Sequence, residues 1–313
     1  MNIRKSIILL ALAVLAVFPP APAYAAPDTA QTPDTAEKPK EVYISTRILR
    51  VGGDGDLFSS DMEKLPLSKK KDIVEFIRGD RGEITAVRRT DRKSPDELIR
   101  GKNGEAAWLY RVDTKEAEIL AVLTNDSADK LLRAFMQKKN VDLISAPHVT
   151  TKDKTSATVE VVREFKNSGE SIDKGVSVNV EPTIVSEDVV RCNIEIRHTT
   201  VTSCEKLEGT RTPLVHMRIF HTEIAVPSGA TVLLASRADT AEFDPSKRGA
   251  KGFGYTKKAK VAQLFEDISA QGGESKYEYY FLVKTAILEN GQRAPKDELP
   301  SIRKLPVQPA KAQ

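Results

Sequence analysis

Strict two-residue alternation constrains this chain more than any other feature. In "GVSVNVEPTI", residues 175–184, Val176, Val178 and Val180 share one face, while Ser177, Asn179 and Glu181 share the other. "VVRCNIEIRHT", residues 189–199, repeats the pattern with Val190, Cys192, Ile194 and Ile196 inward and Arg191, Asn193, Glu195 and Arg197 outward. A period of two belongs to strands, and it commits one face of a sheet to a core and the other to polar surroundings. His198 continues the inward face. Pro182 ends or bulges its strand, because it has no N–H for the ladder.

The same reading extends along residues 41–290. "EVYISTRILRV" (41–51) places Val42, Ile44, Thr46 and Ile48 on one face. "EITAVRR" and "AAWLYRV" read as short strands separated by a polar loop over 90–104, and "EILAVLT" as another strand. "MRIFHTEIAV", the turn Pro227-Ser228-Gly229 and "ATVLLAS" read as a hairpin. "YEYYFLVKTAIL" is apolar enough to be buried on much of both faces. In "VDLISAPHVTTKDKTSATVEVVREF" (141–165) an apolar run meets a proline, a polar turn and another apolar run, which predicts two strands folded on one another.

Helical periodicity is rarer. Leu131, Leu132, Phe135 and Met136 form a stripe behind the candidate cap Ser127, with a stop at Asn140. "LSKKKDIVEFIR" sets Ile73, Val74 and Ile77 at helical spacing behind Ser68, and "KKAKVAQLFEDISA" reads as a third, short helix. The expectation is a mainly β, α+β chain with about ten strands and three helices.

Both ends differ from this middle. Arg4 and Lys5 precede an apolar run from Ser6 to Val17, and Ala23-Tyr24-Ala25 offers small residues where a signal peptidase reads, so 1–25 is expected to be a signal peptide. Its removal leaves about 288 residues and lowers the formal charge from +4 to about +2, enough chain for one elaborate β domain or two small ones. Residues 26–40 repeat the fragment PDTA and bury almost nothing, which predicts a flexible linker; the proline-containing stretch 291–313 predicts a disordered tail. Interspersed charges without a basic face argue against nucleic acid as a partner. Export exposes Cys192 and Cys204 to oxidising conditions, so a disulfide between them is open, provided that the chain turns near 199–203.

No constellation for chemistry emerges. His216 and His221 are separated by an odd number within one strand and point to opposite faces, so no metal site is expected. "RGAKGFGYTKK" (248–258) has its glycines in the order G-x-x-G-x-G, which matches neither phosphate-binding fingerprint, so no cofactor site is expected either. There is no G-x-S-x-G elbow and no activated thiol setting, so no catalytic residue is assigned. A scaffold, channel or binding role remains.

The order of segments then adds a resemblance. Val141, Leu143, Ser145, Pro147 and Thr151 follow a helix; Ala157, Val159 and Val161 come next; then Gly175, Val180, Pro182 and Ile184; then Val226, Gly229, Thr231, Val232 and Leu234. This resembles the core domain of the bacterial type II and III secretion system secretins over residues 115–290, with 41–114 as the N-terminal part of the core. The resemblance implies a barrel-forming, largely antiparallel sheet domain with one well-defined helix before the central ribbon. It also implies self-association into a ring, or association with other secretion or pilus components, at the outer membrane or in the periplasm. A stand-alone periplasmic module that binds or caps a partner without forming a pore is the alternative.

Overall fold

The computed structural model describes residues 40–51, 73–89, 94–138, 140–237, 255–269, 277–289 and 292–295. The expected signal peptide, nearly all of the linker, most of the glycine-containing loop and most of the C-terminal tail lie outside them. In chain order the elements are β1 (Glu41–Val51), β2 (Ile73–Arg78), β3 (Ile84–Arg89), β4 (Asp96–Arg100), β5 (Ala106–Glu116), β6 (Glu118–Leu123) and α1 (Asn125–Met136). There follow β7 (Val141–Ser145), β8 (His148–Lys152), β9 (Ala157–Asn167), β10 (Glu170–Ser186), β11 (Val189–Leu207), β12 (Thr210–Pro227), β13 (Thr231–Arg237), α2 (Lys258–Ser269) and β14 (Tyr277–Leu288).

The strands form two sheets. In the first the order is β6-β13-β14-β1-β7, with β8 also beside β1. In the second it is β2-β3-β4-β5-β12-β11-β10-β9. Pairing is antiparallel except where β5 runs parallel to β12. The main core lies between the sheets: Val42, Ile44 and Ile48 of β1, Val232 and Leu234 of β13, and Tyr279, Phe281 and Val283 of β14 face the alternating apolar residues of β10, β11 and β12. On its other face the first sheet buries Leu233, Tyr280 and Leu282 under Leu131, Leu132 and Phe135 of α1, with Leu264 and Phe265 of α2 beside them. The result is three layers: helices, first sheet, second sheet.

This layering explains the patterns. β14 sits in the middle of the first sheet with a layer on each side, so consecutive residues are apolar. β10 from Val176 to Pro182 and β11 from Val190 to His198 have only one neighbouring layer, so they alternate. The cap of α1 is Thr124 rather than Ser127: the Thr124 hydroxyl oxygen accepts from the Ser127 N–H at 3.4 Å, and the helix ends at a Gln137 C-cap, not at Asn140.

Several expectations need correction. Fourteen strands and two helices are present among the described residues. Residues 73–78 form β2 rather than a helix, with Phe76 opposite Val87 and Ile77 opposite Ala86. Helical spacing of three apolar residues is overridden there by β-branched side chains that suit a strand. The loop expected over 90–104 contains β4. Residues 217–236 are not a hairpin, because β12 lies in the second sheet and β13 in the first.

The 141–165 segment is likewise not folded on itself. β7 and β8 both pair with β1, and only β9 passes to the second sheet. Pro147 separates β7 from β8, and its carbonyl accepts from the Thr46 N–H at 2.9 Å, so both pieces stay attached to the single long β1.

Candidate functional site

The residues that carry the resemblance cluster where the chain crosses between sheets. At the first crossover, Lys154 adopts φ 57°, its N–H donates to the Pro182 carbonyl at 2.8 Å, and the Asp153 carboxylate accepts from the Ile184 N–H at 2.7 Å. Pro182 is thus buried opposite Cys192 and offers its free carbonyl to the turn. Val141 and Leu143 hold β7 against the α1 side of the first sheet, and the Thr151 hydroxyl donates to the Thr155 carbonyl. At the second crossover, Gly229 has φ 80° and its N–H donates to the Thr285 carbonyl at 2.7 Å, while Ser228 N–H reaches the Asp188 carbonyl. Val226 before this turn and Leu234 after it face the same core from opposite sheets, and Thr231 is buried at the start of β13. Val180 is fully buried between Ala157 and Ile194.

A buried polar seam adjoins this core. His216 and Arg218 share the parity of Phe220 on β12, and their β5 neighbours are Arg111 and Asp113. His216 Nε2 lies 2.5 Å from Asp113 Oδ2, Arg111 makes a two-pronged pair with the buried Asp96 at 2.8 and 2.9 Å, and Arg218 contacts Glu278 at 3.0 Å. His198 Nδ1 lies 2.9 Å from the Tyr279 hydroxyl. Burial pushes His198 down to about 3, and Arg218, Arg50, His216 and Lys174 push the same way. Burial also lowers His216, opposed by its bond to Asp113, and raises Tyr279 to about 12. The seam is a buried network of hydrogen bonds and ion pairs in which burial holds both imidazoles toward the neutral form. Arg218 faces Tyr279 at 5.8 Å from its ring centroid. Its even spacing from Phe220 carries that information.

Over Arg191–Arg197 the opposite face of the second sheet is polar, and farther along β11 it is apolar and buried. Arg191, Asn193 and Arg197 are exposed on β11, with Glu195 half-buried among them. Glu195 pairs with Arg197 at 2.6 Å and with His221 at 3.3 Å, and Arg191 lies 3.8 Å from Glu223. Asn179 donates to the Thr158 hydroxyl at 2.9 Å.

Cys192 and Cys204 are both free and both lie on β11. The turn that a disulfide needs is absent: only a bulge between Val201 and Ser203 interrupts the strand. Twelve residues at about 3.3 Å each keep the sulfurs on the order of 40 Å apart. Burial pushes the Cys192 thiol up to about 12 and raises that of Cys204 as well, so each acts as a small apolar core residue. Among the described residues no three or more His, Cys, Asp and Glu side chains converge to hold a metal.

A hairpin arm completes the site. β9 and β10 join through Ser168 and Gly169, both with positive φ (50° and 74°), the geometry of a tight two-residue hairpin turn. The stretch between Phe165 and Gly175 is therefore strand, not loop. β10 follows β11 only as far as Gly175 opposite Thr199. Gly175 has φ 143°, and a Cβ there would meet the Val161 carbonyl oxygen at 2.2 Å. Beyond it the arm folds over β11, β12 and β5, where Phe165 and Ile172 cover Trp108, Val201, Cys204 and Val215. The Phe165 and Trp108 ring centroids are 5.6 Å apart, and Asn167 Nδ2 donates to the Ala107 carbonyl at 2.7 Å. At the root of the arm a cavity of about 200 Å³ opens, bounded by Ile144, Ser145, Val161, Phe165, Lys174 and His198, with Thr199 and Thr200 at its back.

Residues 134–241 match the family model described as "Secretin: Bacterial type II and III secretion system protein". Among solved structures, the chain is similar to the Klebsiella pneumoniae type II secretion system outer membrane complex of PulD, PulS and the PulC HR domain. That match has 13% identity over 81% of this chain and 41% of the other, with a TM-score of 0.34. It is also similar to the E. coli K12 type II secretion system secretin GspD (11% identity, 80% and 51% of the two chains, TM-score 0.31). The V. cholerae type IV competence pilus secretin PilQ gives 12% identity, 80% and 61% coverage and a TM-score of 0.32. This chain therefore spans less than two thirds of each of these proteins. No curated protein matches it.

Proposed function

We propose, from the premise that residues 134–241 of this chain are a secretin domain, that the protein is a non-enzymatic component of a type II or III-like secretion or pilus-export apparatus. On this reading residues 1–25 export it, 26–40 tether it, and copies assemble into a ring in the envelope of a Gram-negative-type bacterium. No cofactor is required.

The observation that carries the reading is the second sheet. It has one face in the core, an opposite face that is polar over Arg191–Arg197, and two edge strands, β2 and β9, each paired on one side only among the described strands. An open edge exposes a row of N–H and C=O groups, and closure into a ring of copies removes it. The first sheet, by contrast, guards one of its edges. Thr256 N–H donates to the Val122 carbonyl at 2.8 Å, and Val122 N–H donates to the Thr256 hydroxyl at 2.7 Å.

The polar outward face supports placing the second sheet against water, on the lumen side of a ring, since Arg facing lipid at mid-membrane costs about 2 to 4 kcal/mol. It equally favours the second reading, a periplasmic module that binds or caps a partner without a pore. Native-size analysis of detergent-solubilised envelope separates the two. A ring predicts a large, SDS-resistant multimer in the outer-membrane fraction; a monomer in the soluble periplasmic extract overturns it. The module reading predicts that the same extract yields the protein bound to a separate ring-forming partner.

A further inference from the structure

We propose that the β9–β10 hairpin is an exchangeable arm, which in the assembled protein leaves its own trough and fills that of a neighbouring copy. The inference rests on the reading of this protein as self-associating.

Three observations carry it. The arm is joined to the rest of its sheet at a hinge: pairing of β10 with β11 stops at Gly175, where only glycine accommodates both φ 143° and the Val161 carbonyl. The hinge lies six positions beyond the turn residue Gly169, which gives a reach of about 20 Å. The root of the arm is loosely packed. The 200 Å³ cavity lies beneath it, and Val161 and Val162 on opposite faces of β9 remain 53% and 37% exposed. Reorienting the arm at this point sacrifices few close contacts.

The tip, by contrast, is well anchored. Phe165 packs against Trp108 with the rings tilted at 52°, Ile172 helps to cover Val201 and Val215, and Asn167 donates to the Ala107 carbonyl. The shape and polarity of the trough therefore identify its occupant, which is this same hairpin. None of those tip contacts depends on which copy supplies the arm. Exchange of an identical element between copies keeps every native contact and adds whatever the new neighbours cover, here the exposed Val161 and Val162. The outer half of β9, Arg163 to Asn167, is carried across with the arm while Ala157 to Val162 stays paired with β10 in its own sheet, so the swap would also tie adjacent second sheets together.

Trp108 is the single tryptophan of the chain and reports the state of its own trough. The experiment co-refolds two full-length variants. Phe165→Ala keeps Trp108 but presents a defective arm; Trp108→Ala keeps a good arm and emits no tryptophan fluorescence. Alone, Phe165→Ala emits at longer wavelength than the wild type, as its indole is exposed. In the mixed assembly, exchange predicts that its emission returns toward the wild-type maximum, because an intact arm from the other variant now covers Trp108. Emission that stays at the Phe165→Ala value in particles shown by size analysis to contain both chains overturns the exchange and leaves ring assembly standing. A wild-type protein that remains monomeric overturns both. If circular dichroism shows that either variant fails to fold, the milder pair Phe165→Leu and Trp108→Phe is read in the same way.

Discussion

The two sheets differ in what lies on their second face. The first sheet is an interior layer: β14 sends Phe281 and Val283 into the inter-sheet core and Tyr280 and Leu282 under the helices. The second sheet, through β10 and β11, sends Val178, Ile194 and Ile196 into that core and Asn179, Glu195 and Arg197 away from it. The first is therefore specified by packing from both sides. The second carries its information in alternation, and a slip of one residue would exchange its core for its polar face. The sheet with the free polar stretch is also the one whose β9–β10 arm departs from the plane and whose edge strands, β2 and β9, each have a single partner among the described strands.

The sharpest way to break this contrast is to remove a side chain from the interior sheet. Phe281 is fully buried, with its ring 5.0 Å from Phe220 and 6.1 Å from Tyr279. Phe281→Ala is expected to cost about 3 to 5 kcal/mol, since both layers are held and the cavity cannot collapse. Equilibrium denaturation in urea would measure it. A cost below about 1 kcal/mol would mean that the layers adjust independently and that the first sheet is not the rigid element.

What could be read in the sequence follows the same division. Alternation on β10 and β11 identified inward and outward residues because only one face there is buried, and the apolar run of β14 marked a strand covered on both sides. The motif residues from Val141 to Leu234 pointed by their order to the secretin family model that matches residues 134–241. What the sequence did not disclose depends on distant partners. The turn Pro227-Ser228-Gly229 has the same local chemistry in a hairpin as in a crossover, and it is the carbonyls of Asp188 and Thr285 that hold it as a crossover. Ile73, Val74 and Ile77 fit either a helix or a strand, and β3 decides between them. The polar seam was legible in principle, since the parity of His216 and Arg218 matches that of Phe220, but the ion pairs to Asp113 and Glu278 connect segments far apart in the chain.

Acid sharpens the comparison by acting where the two sheets meet. His198, 2% exposed, projects from the second sheet to Tyr279 of the first, with Arg218, Arg50, Lys174 and His216 around it and the carboxylates of Asp113 and Glu278 in the same seam. Its folded-state value, about 3, lies below the ordinary 6.5. Between those values the unfolded chain binds a proton that the folded chain refuses, so the contribution is whole above pH 6.5 and declines as the pH falls. The decline is at most about 1.4 kcal/mol per pH unit. His198→Gln keeps a hydrogen-bonding group beside Tyr279 but cannot titrate. Urea midpoints measured from pH 7 to pH 4 are expected to fall less steeply for this variant than for the wild type. Identical slopes would take the acid sensitivity away from His198 and leave His216, which burial also lowers, as the next group to replace.

The smallest effect is expected on the face that the comparison assigns to water. Arg197 is exposed on β11, and its partner Glu195, at 2.6 Å, is on the same strand and also contacts His221. A pair of this kind contributes about 0.2 to 1 kcal/mol at best, because solvent screens it. Arg197→Leu should therefore shift stability by no more than about 0.5 kcal/mol in the isolated chain. Its value lies in the assembled protein. If this face looked onto lipid, exchanging the guanidinium for an aliphatic side chain would relieve a cost of about 2 to 4 kcal/mol, and the multimer would resist detergent and heat markedly better. If it looks onto water, the substitution leaves that resistance unchanged. The thermal dissociation of wild-type and Arg197→Leu multimers, compared on one gel, thus reads which side of a ring wall the second sheet occupies.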